Sequence, residues 1–445
     1  MKAKTYLMIG LTVLFFFGEI AISFSDRAAS NSLIDSDNMS FALNLENSDS
    51  DFEQDEFIDR LVESFIKRYN IKGASVAVTK NGQLVYAKGF GMANTETSEP
   101  MQPGHIFRIA SVSKLLTAAA IMKLIEEDKL ELDARVFGKE GILNDEIFQS
   151  FQDERIADIR IRHLLNHTAG WSRYKGDPVF NSLYIARKYN ETPPAQEDRI
   201  IQYGLQKPLS FSPGTTYSYS NLGYIILGRI ISSLTHMPYE DYIVMNILKP
   251  LDIHDMHIGR SFYHEKYPNE VRYYEPAGSA LTMAFNGSGR MVPKSYGGNN
   301  MELLGAAGGW VASAPELIKF ISAIDGFPDM PDLLADSSIQ LMTDPRRAGE
   351  GLFGWRGADG HGTWWRTGTL SGSLSFVMRM ENGLNWVILL NTSGSKRLRL
   401  HNKLSRTIFA ASYRVKDWPD YNLFAKPDKG FLSPITEIPA LNPKL

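Results

Sequence analysis

Phe107-Arg108-Ile109-Ala110-Ser111-Val112-Ser113-Lys114 is the stretch on which the reading of this 445-residue chain turns. Val112, Leu115, Ala119, Met122 and Ile125 recur on one stripe, so the spacing predicts a helix that opens at Ser111 and closes in the polar run 128–133. At a helix start the unpaired backbone N–H groups and the dipole favour negative charge on a serine oxygen or a nearby oxyanion. Lys114 falls one turn later on the same face, within reach of Ser111 Oγ. A buried lysine with a lowered pKa can accept a serine proton. A capping serine followed by a surface lysine would look the same, and Ser-x-x-Lys occurs four times, at 64–67, 111–114, 172–175 and 393–396. Context separates them: the first lies in a charged amphipathic helix, and the last two sit in loop-like sequence beside glycine.

Two pairs of β-rich runs flank this segment at a distance. Ala74-Ser75-Val76-Ala77-Val78 and Leu84-Val85-Tyr86-Ala87 are joined at Asn81-Gly82. Leu374–Met380 and Trp386–Leu390 are joined at Glu381-Asn382-Gly383. Asn-Gly between such runs is a strong hairpin signal, because both residues tolerate the positive φ of a tight turn. Helical patterns precede the first hairpin, at 57–66, and follow the second, at 404–413. Between them lie helical pieces at 159–165, 222–234 and 315–324, the last with Ser313 or Ala314 near its cap, and Gly/Pro/Asn-rich loops. The pattern predicts an α/β (α+β) fold: an antiparallel sheet flanked by helices and built from both chain ends, 55–130 and 300–414. A mostly helical part, 131–299, is inserted between them. A Pro-rich extension without periodicity, 415–445, is expected to pack loosely.

Formal charge is −3 with a pI near 6.3, which leaves no basic excess for nucleic acid. Cysteine is absent, excluding a thiol nucleophile, disulfides, a cysteine zinc site and a lipid-modified cysteine. Lys2 and Lys4, then the apolar run Tyr6–Phe17, then the small residues of Ala21-Ile22-Ser23 or Ser23-Phe24-Ser25, read as a signal peptide over 1–25. The run is shorter than the roughly 20 residues a spanning helix needs, so export to the periplasm or medium is expected, with an uncleaved N-terminal anchor as the alternative. Residues 26–54, rich in Ser, Asp and Asn, read as a flexible acidic leader.

Two further triplets carry chemistry. Tyr219-Ser220-Asn221 would place Tyr219 and Asn221 on one side of an extended stretch, the phenol as general base or proton relay and the amide for a substrate amide. Asn221 capping a helix from Leu222 would read alike, and Tyr267–Asn269 repeats the spacing beside Pro268. Arg366-Thr367-Gly368 is the single cation-Thr-Gly triplet. Gly368 would let a substrate backbone approach a strand edge, and Arg366 could clamp a carboxylate or stack on Trp364 or Trp365. No Gly-x-Ser-x-Gly elbow is present. His163 and His167 lack the glutamate of the helical zinc signature. The group Asp252, His254, Asp255 and His257 reads as a solvated loop.

In order and type these triplets resemble the serine β-lactamase and penicillin-binding-protein family, in its class C β-lactamase and DD-peptidase/esterase branch. The resemblance runs from about Phe57 to Tyr413. It takes in Gly73–Val78, Arg162-His163-Leu164-Leu165-Asn166-His167-Thr168-Ala169-Gly170, Pro213-Gly214 and Gly308-Gly309. It implies Ser111 as acylated nucleophile, Lys114 as its proton acceptor and Tyr219 in proton transfer, with Asn221, Arg366, Thr367, Gly368 and Thr369 on the substrate. Backbone N–H groups of Ser111 and Thr369 would form the oxyanion hole, at about 3 kcal/mol per donor. No metal or organic cofactor is implied. The expected substrates are small peptides, amides or esters, including cell-wall fragments; a true β-lactamase or a non-turnover penicillin-recognising module are the alternatives. Arg366 departs from the family's usual Lys or His, and a guanidinium cannot take up a proton at neutral pH. It therefore favours an anionic substrate group over a role in proton transfer.

Overall fold

The structure, a computed structural model, describes residues 45–344, 353–394 and 397–425. The chain divides into Met1–Ala42 and Leu43–Leu445. The signal peptide, most of the acidic leader, Lys396 and residues 426–445 lie outside the described residues.

Among the described residues the main sheet has seven antiparallel strands. In chain order they are β1 (Gly73–Lys80), β2 (Gln83–Asn94), β3 (Glu99–Pro100), β4 (Gly357–Ala358), β5 (Trp364–Leu370), β6 (Ser373–Arg379) and β7 (Leu384–Leu390), arranged β3-β2-β1-β7-β6-β5-β4. Both Asn-Gly hairpins form. Asn81 and Gly82 adopt φ of 49° and 74°, as a two-residue turn requires, and Gly383 sits at 83°. The two turns meet, Asn81 N–H donating to Gly383 O at 2.8 Å. β1 pairs with β7, Val76 opposite Ile388, so the centre of the sheet joins the two chain ends.

Side-chain alternation sends Val76, Val78, Trp386 and Ile388 to one face. There they pack on Ile58, Val62 and Phe65 of α1 (Asp55–Tyr69) and on Leu404 and Ile408 of the C-terminal helix Arg397–Arg414. Ala77, Val387 and Leu389 face the opposite way, into a core shared with α2 (Ser113–Glu126), α3 (Asn221–Thr235) and α4 (Ala314–Ser322). That second core also takes in Ile200, Ile225 and Ile247, so the inserted part and the sheet share one continuous interior.

Three local expectations change. α2 begins at Ser113, and Ser111 lies in the preceding 3₁₀ turn Ala110–Val112. Every α2 residue from Ser113 to Met122 is buried, so the apolar stripe is one side of a helix enclosed all round. The C-terminal helix starts at Arg397, ahead of the expected 404, because its apolar face covers the sheet. The parts of the leader and the tail that are described are docked. Asn47 donates to Gly89 O and Met101 O and accepts from Gly89 N–H, and Ser50 Oγ bridges Ala87 N and O. Trp418 packs on Phe52 and Trp386, and Asn422 Oδ1 accepts from Leu84 N–H. Unpaired strand-edge groups outweigh the polar composition there. Among the described residues no helix is long and apolar enough to cross a membrane.

Candidate active site

Ser111 is carried on a sharp turn between the two-residue strand Phe107–Arg108 and α2. Ala110 has φ of 48°, a left-handed conformation that a residue with a Cβ adopts at a cost of order 1 kcal/mol. Two contacts from the sheet hold the turn. Ser375 Oγ donates to Ile109 O at 2.6 Å, and Arg366 Nε donates to Ser111 O at 2.8 Å. Gly368 explains how β5 comes this close: a Cβ there would stand 2.3 Å from both Ile109 O and Ser375 Oγ and 3.0 Å from Ser111 N. The backbone that this glycine admits is the chain's own Ser111 turn.

Lys114 is fully buried. Its Nζ donates to Asn221 Oδ1 at 2.7 Å and to Ala307 O, and stands 3.5 Å from Ser111 Oγ. Tyr219 Oη lies 2.6 Å from Ser111 Oγ and accepts from Arg366 Nη2 at 3.3 Å. Burial, with the Arg366 guanidinium adding to it, pushes the Lys114 pKa well below the usual lysine range against the opposing pull of Asp177. Burial raises the Tyr219 phenol, with Arg366 and the Ser111 hydrogen bond pulling the other way. The phenol therefore stays protonated at neutral pH, which favours the relay over the general-base role left open by the sequence.

A neutral amine has two N–H groups and one lone pair. Asn221 and Ala307 take both N–H groups, so the remaining tetrahedral position, facing Ser111 Oγ, is the lone pair. Asn221 opens α3, while its cap is Ser220, whose Oγ accepts from Gly223 N–H. The Asn221 amide is engaged at both ends, Oδ1 on Lys114 and Nδ2 donating to Asp177 Oδ2 at 3.0 Å. The expected contact with a substrate amide would use the second Nδ2 hydrogen.

Ser111, Tyr219, Arg366, Thr367 and Thr369 line one cavity of about 450 Å³. Its far wall holds Trp365, the exposed Arg356, and His401 and Asn402 of the C-terminal helix. Thr369 Oγ1 lies 3.3 Å from His401 Nε2. Burial lowers the His401 pKa to about 4, partly offset by a hydrogen bond to the Gly368 backbone, so the ring is neutral at neutral pH. Arg366 forms no stack on Trp364 or Trp365. Arg379 stacks on Trp364, 4.4 Å from its ring centroid, and Arg366 lies 5.7 Å from that of Tyr219. A second cavity of about 330 Å³ adjoins across Tyr219, between Trp171, Asp177 and Tyr203.

Sequence reasoning missed Asp177, Arg356 and His401. Asp177 sits in Gly176-Asp177-Pro178, which reads as a turn, and it does cap the 3₁₀ turn Pro178–Phe180 through Val179 N–H. The remaining motifs are engaged elsewhere. Ser64 and Lys67 are exposed on α1, and Ser172 caps Arg173–Lys175. Tyr267 Oη donates to Ile258 O, and Asn269 donates to Gly104 O. His163 Nδ1 accepts from Arg160 N–H, and His167 Nδ1 from Ser220 N–H. His254 pairs with Asp252 and His257 with Asp255, while the backbone N–H groups of His254 and Asp255 donate to the buried Glu316 carboxylate.

The Beta-lactamase family model matches residues 58–408. Esterase EstB of Burkholderia gladioli is 26% identical over 339 residues, covering 71% of this chain and 79% of that protein. Among solved structures, the octameric penicillin-binding protein homologue from Pyrococcus abyssi aligns with a TM-score of 0.58 at 24% identity, covering 81% of this chain and 78% of that one. The D-amino acid amidase from Ochrobactrum anthropi SV3, complexed with L-phenylalanine amide, aligns with a TM-score of 0.61 at 22% identity, covering 81% and 99%. The structural likenesses speak for the fold.

Proposed function

The chain belongs to the beta-lactamase family, and on that premise we propose that it is an exported serine hydrolase working through an acyl-enzyme on small peptides, amides or esters. The observation that carries this reading is the arrangement around Ser111 Oγ: Tyr219 Oη at 2.6 Å, and Lys114, both N–H groups committed, at 3.5 Å. Ser111 Oγ attacks the substrate carbonyl carbon as its proton passes to the Lys114 lone pair. Catalytic hydrogen bonds of this kind often tighten only when substrate is bound. The backbone N–H groups of Ser111 and Thr369 receive the oxyanion. When the carbonyl re-forms, the bond to the amine or alcohol breaks, and that leaving group takes the proton from Lys114 through Tyr219. Water then attacks the Ser111 ester as the same groups accept its proton; the bond to Ser111 Oγ breaks as that proton is returned to the serine oxygen, and the carboxylic acid departs.

A carboxylate-bearing substrate suits the cavity. Among the described residues Arg356 makes no ion pair and Arg366 Nη1 has no hydrogen-bond partner. The esterase and D-amino acid amidase among the similar proteins support ester and D-amino-acid amide substrates, with cell-wall fragments a natural class of the latter. Export rests on Lys2, Lys4 and the apolar run Tyr6–Phe17.

Mass spectrometry after incubation with an activated ester or a penicillin tests the mechanism. The acyl mass is expected on the Ser111 peptide and absent from Ser111→Ala; full labelling of that variant overturns the assignment. Steady release after the burst marks turnover, whereas arrest at one equivalent marks a recognition module.

A further inference from the structure

The polar contacts around Ser111 form one continuous chain. Arg366 Nη2 donates to Tyr219 Oη (3.3 Å), and Tyr219 Oη meets Ser111 Oγ (2.6 Å). Ser111 Oγ meets Lys114 Nζ (3.5 Å), Lys114 Nζ donates to Asn221 Oδ1 (2.7 Å), and Asn221 Nδ2 donates to Asp177 Oδ2 (3.0 Å). Its first member, a guanidinium, can only donate; its last, a carboxylate, can only accept. Once a neutral Lys114 has given both N–H groups to Asn221 Oδ1 and Ala307 O, its lone pair sets the sense of the remaining links. Tyr219 donates to Ser111 Oγ, and the Ser111 hydroxyl is left to donate to Lys114.

The link at Asn221 depends on the far end. A carboxamide can be turned over, exchanging its oxygen for its NH₂ group. Asp177 Oδ2 accepts from both Asn221 N–H and Nδ2–H at 3.0 Å, so the amide hydrogens must point to Asp177 and the oxygen to Lys114. Were the amide reversed, an N–H would face Lys114, and the amine would answer it with the lone pair it needs for Ser111.

We propose that Asp177 is a positioning residue of the hydrolytic site, acting through Asn221 to keep the Lys114 lone pair on Ser111. The proposal rests on the serine-hydrolase reading above and assigns Asp177 no contact with substrate. The charged and titratable groups around Lys114 are Arg366 from β5, Asp177 from the loop before Pro178, Tyr219 before α3, Tyr224 on α3 and His167. The Tyr219 and Tyr224 rings lie 4.9 and 5.3 Å from Lys114 Nζ. Asp177 is the anion of this group. Its charge raises the Lys114 pKa while Arg366 lowers it.

Asp177→Asn keeps an oxygen for the cap at Val179 but turns an NH₂ group toward Asn221, so it removes both the charge and the orienting acceptor while leaving the structural contact. Asp177→Asn is expected to move the acid limb of the kcat/KM profile to lower pH, because the Lys114 ammonium loses a counter-charge and gives up its proton more readily. Asp177→Ala is expected to lower kcat/KM about a hundredfold, the scale of a misplaced reacting group. In an Asn221→Ala background Asp177→Ala is expected to add less than about threefold, since groups acting as a unit are non-additive. Independent losses that multiply, or an acid limb unmoved in Asp177→Asn, overturn the proposal; so does Asp177→Ala retaining full activity. Thermal melting of each variant identifies lost folding, and Asn221→Ala with and without Asp177→Asn then supplies the cycle. If Ser111→Ala stays active, the serine reading itself has failed, whatever Asp177 does.

Discussion

On one side of Ser111 the polar groups are enclosed. Lys114 has no exposed surface, Asn221 is spent on Lys114 and Asp177, and the aromatic rings of Tyr219 and Tyr224 lie against the amine. On the other side β5 and the C-terminal helix open into the cavity of about 450 Å³, where Arg356 is exposed and His401 and Asn402 face the space. The enclosed side gives Lys114 and Asn221 protein partners, as a region of low dielectric demands, while the buried His167 Nε2 has none among the described residues. The open side keeps cationic donors in excess. On the proposed mechanism this division places proton handling on the side from which water is excluded and recognition on the side substrate can enter.

Breaking the enclosed side should cost most. Lys114→Met, similar in volume and without a basic nitrogen, is expected to lower kcat/KM by about 10²–10⁴-fold, the range for a positioned general base. Steady-state kinetics on one activated ester read this, and retention of more than a tenth of the activity removes Lys114 from the reaction. Next comes the seam between the two sides. Gly368→Ala would put a methyl group 2.3 Å from Ile109 O and Ser375 Oγ. Moving that backbone is expected to cost about 2–3 kcal/mol of stability, measured by chemical denaturation, with activity falling beyond what the lost folded fraction explains. Smallest is the open side. Arg356→Gln is expected to raise KM about tenfold for a carboxylate-bearing ester, worth about 1.4 kcal/mol, and to leave the neutral ester unchanged. Arg366→Gln should impair both esters, because Arg366 Nε also holds the Ser111 carbonyl. Equal losses on both esters for Arg356→Gln would remove the carboxylate from the open side.

The hairpins and the nucleophile motif were legible because their signals are local. Asn81-Gly82 and Asn382-Gly383 mark turns whatever surrounds them, and Ser111 and Lys114 share a face of a helical turn by spacing alone. The position of the helix start was not legible, since a 3₁₀ turn and a first α turn present the same residues on nearly the same face. Arg366 was visible as a cation, but its hold on the serine turn was not. Its Nε bond to Ser111 O joins residues 255 positions apart. Asp177 carried the sequence mark of a turn, which it does make, and that mark hid its second contact with Asn221, 44 positions away.

By itself, then, the amino-acid sequence determined the sheet's two hairpins, the helix behind Ser111 and the types of groups that could meet there, because turn geometry and helical periodicity act over a few residues. Only the tertiary structure decided which partner each group has. It turned Asn221 toward Asp177, spent part of Arg366 on the serine turn, and brought Arg356 and His401 to the cavity. Burial is the physical reason: once Lys114 is out of water, each of its hydrogen bonds must be met by a protein atom, and those atoms come from wherever in the chain the fold places them.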